Sequence, residues 1–156
     1  MARNKDLADR VREVLISGHW IANVNFREII ESLDKEQATT RIADLNTIAL
    51  LTFHLNYYLA GLINVFKGGS LDIRDKYSFD LPEVRSEDHW KALVSEFISN
   101  AGIFADWVEN MDETILDQPF VDPKYGTYQR NIEGIIEHSY YHLGQASLIR
   151  KMILAN

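Results

Sequence analysis

Between Asn46 and Lys67 the chain carries almost no charge, and its apolar residues keep a helical period: Ile48, Leu51, Leu55, Leu59, Leu62 and Phe66. Apolar residues three and four apart line one face of a helix. A stretch this apolar on most sides has to sit at the centre of a packed structure. Gly68-Gly69 then stops it, as glycine does just past a helix C-terminus. Strand signals are scarce elsewhere and helix signals strong, so the chain reads as all-α.

Three further long segments keep the helical period. Asn4 to Ser17 places Leu7, Val11, Val14 and Leu15 on one face before Ser17-Gly18 interrupts it. Ser86 caps a helix running to about Asn110, with Glu87 and Asp88 in a first turn that favours acid, and with Leu93, Phe97, Phe104 and Val108 turned inward. Asn131 to Leu154 is the longest, ending in Arg150 and Lys151. A shorter helix opens at Asn25-Phe26-Arg27-Glu28, which has the form of a capping box with Glu28 reaching back, and runs to about Leu33. The three prolines, at 82, 119 and 123, all lie between periodic segments. The expectation is a four-helix bundle with a short extra helix, forming a single domain over residues 1–156. Two connections are long, Gly68 to Arg85 and Met111 to Arg130, where antiparallel bundles need only short loops. Their apolar content (Tyr77, Phe79, Leu81, Phe120, Val121, Tyr125, Tyr128) marks them as ordered loops and partial walls of a cavity.

His138 and His142, four residues apart in the last helix, stack on one face about 6 Å apart along its axis. With His142 at zero and about 100° per residue, Ile135 and Ile153 fall near +20°, Ile149 near −20° and His138 near −40°. Both rings therefore point into the apolar stripe, where an unpartnered imidazole is costly. Either a metal or a full set of hydrogen bonds to buried carbonyls must satisfy them. Two imidazoles alone under-coordinate a metal, since catalytic zinc-type sites take three protein ligands and keep one position open. Of the other histidines, His54 lies mid-helix in the apolar 48–66 segment and is the best third ligand on physical grounds. His19 follows the Ser17-Gly18 break and reads as a packing or hydrogen-bonding group. His89 sits in an acidic first turn and reads as solvent-facing.

The motifs Phe53-His54-Leu55-Asn56-Tyr57-Tyr58 and His138-Ser139-Tyr140-Tyr141-His142-Leu143-Gly144-Gln145, with Tyr77-Ser78-Phe79-Asp80-Leu81-Pro82 and Gly18-His19-Trp20, resemble the DinB-like (YfiT-like) superfamily of bacterial four-helix-bundle proteins. The resemblance spans nearly the whole chain. It implies that His54, His138 and His142 form a three-histidine site for a divalent metal, commonly nickel, zinc or iron, and it implies a homodimer. Characterised relatives include transferases and isomerases that use low-molecular-weight thiols such as bacillithiol or mycothiol. Fold kinship does not by itself transfer a substrate.

Composition narrows the chemistry. The 156 residues hold no cysteine, which removes disulfides, thiolate ligands and a cysteine nucleophile, so that any thiol would have to be imported. The net charge of −7, with no basic cluster, gives no footprint for nucleic acid or anionic lipid. The N-terminal Met-Ala-Arg-Asn-Lys-Asp has no apolar signal region, no apolar run is expected to reach transmembrane length, and a cytoplasmic protein with a small-molecule substrate is expected. Ser139 stands where a His-Glu-x-x-His peptidase carries its general base, and the 48–66 helix has no glutamate for a di-iron centre. Three neutral ligands leave a divalent ion its full charge, which acidifies a bound thiol or water. The expected reaction is S-transfer or hydrolysis of a small molecule; the alternative is a non-catalytic metal-binding, stress-response or dimeric scaffold module. Gln145 and Tyr58 stand where they could orient a ligand, Glu137 should face solvent, and Trp20, Trp90 and Trp107 read as core or interface aromatics.

Overall fold

Caps set the helix starts. In the computed structural model, which describes residues 1–155, Thr47 begins α4 (Ile48–Phe66) by accepting the Leu50 amide on its hydroxyl at 3.1 Å. Ser86 does the same for α5 (Glu87–Asn110) through His89 N, and Thr127 for α6 (Tyr128–Leu154) through Arg130 N. The Thr127 cap is why α6 starts three residues earlier than the apolar period alone indicates. At the N-terminus, α1 (Arg3–Arg12) runs on into a π turn, Glu13–Ser17, closed by Gly18 N donating to Glu13 O five residues back. Two short helices follow, α2 (Phe26–Glu31) and α3 (Lys35–Ala38). Asn25 caps α2 as expected, accepting from Glu28 N at 3.1 Å. The Glu28 carboxylate does not reach back, however, but pairs with the His19 ring across the break. The sequence reading missed α3, which is held by a reciprocal cap between Asp34 and Gln37.

The four long helices form a bundle in which α1 packs against α5 and α6, and α4 against the same two. Among the described residues there is no β-strand beyond an isolated bridge between Pro119 and Thr127. Val11, Leu15, Leu51, Leu59, Phe97 and Phe104 fill the centre, with Phe26 of α2 and Leu116 of the 111–127 connection closing it. Leu93 and Phe66 are only half-buried, at the margins of their stripes. By length and composition α4 could cross a membrane, but 61% of its apolar window is buried inside the bundle. Trp90 is a core residue, donating its indole N–H to Leu33 O at 2.9 Å. Trp20 is 87% exposed and belongs to no core.

Both long connections are ordered. Residues 67–86 lie back along one stripe of α4. Asn64 donates to Ser70 O at 2.8 Å; Tyr57 both accepts from Arg74 N at 2.8 Å and donates to Arg74 O at 3.1 Å; Tyr58 donates to Asp75 at 2.7 Å. Ile73 rests directly on the backbone at Gly61, where an added Cβ would stand 2.3 Å from Ile73 Cγ1. The 111–127 connection is tied to the N-terminus by Arg3, whose guanidinium grips both oxygens of Asp117 at 2.8 Å and Glu113 at 3.1 Å.

The Gly61 contact generates a prediction. Alanine is the better helix former, yet the Cβ forces Ile73 off α4, and overpacking of this kind costs about 1–3 kcal/mol. Gly61→Ala is expected to raise hydrogen exchange over residues 73–79 and to lower the melting temperature. Unchanged exchange over residues 73–79 in Gly61→Ala would show that the loop does not need the bare backbone at this position.

Candidate metal centre

Three imidazoles meet where α4 and α6 cross. His54 Nε2 lies 3.1 Å from His138 Nε2, and His142 Nε2 lies 2.8 Å from the same atom. One ligand atom from each ring falls within 4.8 Å of the others. The spacing of four between His138 and His142 and the central position of His54 thus bring together the three rings singled out in the sequence. His19 and His89 are both exposed and take no part.

The outer nitrogens fix the tautomers. A carbonyl can only accept, so the 3.3 Å contact between His54 Nδ1 and Ser78 O places the hydrogen on Nδ1 and leaves Nε2 a bare lone pair. His142 Nδ1 donates to Gln145 Oε1 at 2.7 Å, with the same consequence. Two bare lone pairs then face His138 Nε2, which has at most one hydrogen to offer. The cluster therefore has more acceptors than donors, and a cation is what such a set of convergent lone pairs suits. Metal-bound histidines elsewhere are oriented by an outer hydrogen bond of this kind. By donor chemistry the residues fit a divalent transition ion.

Burial reinforces the neutral state. His54 and His142 are each 5% exposed, and Phe79 stacks on the His54 ring at 3.9 Å, nearly parallel. Desolvation, then the neighbouring His142 and His138, pushes His54 down to about 4. Desolvation and His142 push His138 down to about 4, while Asp75 partly opposes them. Burial lowers His142 as well, against the pull of Gln145.

His138 is the least enclosed of the three, lying at the edge of the buried arc of α6, and it lines one wall of a cleft of about 530 Å³. Both long connections contribute walls, through Leu71, Ile73 and Asp75 on one side and Phe120 and Tyr125 on the other. They are partial walls of a cleft, as expected, though of the aromatic and apolar residues singled out only Phe120 and Tyr125 line it. A carboxylate that the sequence motifs do not single out stands near the rings. Asp75, on a 3₁₀ turn (Asp75–Tyr77), stands at the histidine end of the cleft and accepts the Tyr58 hydroxyl. Burial, then that bond, raises the Tyr58 phenol to about 12. Nothing in the local sequence marks Asp75, because the loop's path along α4 alone brings it there. Glu137, by contrast, faces solvent as expected and pairs with Arg130. A larger groove of about 650 Å³ between α2 and α5 contains no histidine, and the chemistry belongs to the smaller cleft.

The depressed imidazoles make stability pH-dependent. The unfolded chain takes up protons near the ordinary histidine value of about 6.5, the folded rings only near 4, so acid favours unfolding in between. Denaturation of metal-free protein should show stability falling from about pH 6.5 to about pH 4, with no contribution from these rings above that window. His54→Gln should make the fall shallower than in the parent chain; an unchanged slope would show that the rings are not buried neutral.

The sequence model of the DinB superfamily matches residues 22–146, a span that begins ahead of α2 and includes all three histidines and Gln145. No curated protein matches the chain. No solved structure matches it either. With four long helices, three converging imidazoles and a family match over most of its length, the chain belongs to the DinB superfamily.

Proposed function

We propose that this protein is a metal-dependent enzyme that activates a small thiol or a water molecule for S-transfer or hydrolysis of a small molecule. The observation that carries the reading is that three neutral imidazoles converge at the inner end of an open cleft. A structural site is closed by four protein ligands, whereas this donor set has three and one of them borders the cleft.

His54, His138 and His142 would hold the ion, which would be nickel, zinc or iron. Bound there, a divalent ion keeps its charge of +2 against three neutral ligands and makes a neighbouring thiol or water more acidic. Ser78 O and Gln145 Oε1 hold two of the rings in the tautomer that faces inward. Phe79 covers the outer face of His54 and keeps water from that side. Asp75 supplies a carboxylate at the histidine end of the cleft, able to accept a proton released there; its Oδ1 already holds the Tyr58 hydroxyl. With no cysteine in the chain, thiol chemistry would use a thiol carried in by a low-molecular-weight cofactor. The acidic net charge favours a small-molecule substrate over nucleic acid.

Metal analysis of tag-free protein, with titration by nickel, zinc and ferrous iron, tests the reading. About one equivalent should bind, and His54→Ala, His138→Ala and His142→Ala should each abolish stoichiometric uptake with the fold retained. Less than about a tenth of an equivalent, with no uptake on titration, would sink it. Gln145→Ala, which removes the partner of His142 Nδ1, is expected to weaken metal affinity about tenfold, as loss of an outer-sphere partner does. A thiolate charge-transfer band on adding a small thiol to the nickel-loaded protein would favour S-transfer; its absence would favour hydrolysis.

A further inference from the structure

Arg130, Gly134 and His138 follow one another at intervals of four along α6, and all three line the same cleft. That spacing puts them on one stripe about 12 Å long. Glycine in the middle of a helix is destabilising relative to alanine and needs a reason. At Gly61 the reason is Ile73. At Gly134 a Cβ would meet nothing within 4 Å, so packing gives none. Gly102 and Gly144 also have open space around them, but neither lines this cleft. At position 134 the open space is the cleft itself, and any side chain would rise from its floor one turn from His138.

The charges at the two ends differ. Asp75 stands with His138 at one end, and Arg130 enters the cleft two turns of α6 away, its exposed guanidinium turned back along the helix to pair with Glu137. Leu62, Leu71, Phe120 and Ile135 form apolar walls between them. Among the described residues the Arg130 guanidinium is held by Glu137, at 3.1 and 3.2 Å, with both side chains about three-fifths exposed. A surface pair of that kind is weak and yields readily to a competing anion.

We infer that the cleft binds a slender organic anion, whose apolar body lies over Gly134, whose charged end meets Arg130, and whose other end is presented to His138. In the metal-free protein the Asp75 carboxylate repels the reverse orientation. This inference rests on the proposed metal chemistry for what happens at the His138 end, but the binding step needs no metal.

The test uses straight-chain alkanoates from butanoate to octanoate, titrated into the purified metal-free protein and followed by amide shifts of Arg130, Gly134 and Ile135. Metal uptake is measured separately on the same preparation, so failure of the metal reading and failure of this one are separate results. Affinity should rise about fourfold per added methylene until the cleft is filled. Octanoate should bind more tightly than octanol, and octylammonium more weakly than either. Gly134→Leu should melt no lower than the parent, because the space is open and leucine is the better helix former, yet lose octanoate binding. Gly134→Ala, a smaller intrusion, should weaken binding in part. Arg130→Gln should shrink the preference for octanoate over octanol about two- to fivefold, the range for an exposed ion pair, and leave octanol binding unchanged. Equal binding of octylammonium and octanoate would overturn the inference. So would parent-like binding by Gly134→Leu, an unchanged preference in Arg130→Gln, or no alkanoate binding at all.

Discussion

The hydrogen bond from His54 Nδ1 to the Ser78 carbonyl is the constraint on which the rest of the centre depends. It decides which nitrogen of the α4 ring faces inward, and it exists because a loop lies along α4. That loop is held at each turn of the helix, by Asn64, Gly61, Tyr57 and Tyr58, before it reaches His54. A loop with looser contacts would leave the ring free to rotate or to take the other tautomer. Phe79, immediately after Ser78, then seals the ring from outside. One segment thus supplies the tautomer lock, the hydrophobic cover and, through Asp75, the local charge.

The helical part of this arrangement is legible in the sequence, because helices and their caps are local. The uncharged run around Leu51 and Leu55 reads as central, Ser86 and Asn25 read as caps, and His138 and His142 share a face by spacing alone. The choice of His54 follows from burial: a histidine in the most apolar helix needs a partner, and the rings on α6 need one too. The expectation that the long connections wall a cavity rests on their aromatic content, and Phe120 and Tyr125 do line it.

What was not legible depends on the path of the chain between helices. Asp75 sits among charged, exposed neighbours and has no local signature; the loop's contacts along α4, at Gly61, Tyr57 and Tyr58, bring it to the histidine end. Glu28 had two possible uses, and the His19 ring, brought close by the break after the π turn, won over the backbone amide. Trp20 is the converse case: of the core and interface positions its hydrophobicity allows, the core is excluded, because the turn that carries it projects into solvent. The helical-wheel count put both α6 histidines in the apolar stripe, but it could not show that the stripe's edge at His138 opens onto a cleft. That edge position separates a ring that can meet a ligand from one sealed in the core.

The clamp between α4 and the 67–86 segment also bears on how the molecule assembles. Its contacts join residues between 6 and 24 positions apart, whereas the meeting of His54 with His138 spans 84. Short closures form quickly and at low entropic cost, and long ones wait for the remaining scaffold. The half built on α4 can therefore take shape as a local hairpin, its imidazole already oriented, before α6 docks. Convergence of the three rings then reports that the bundle has closed.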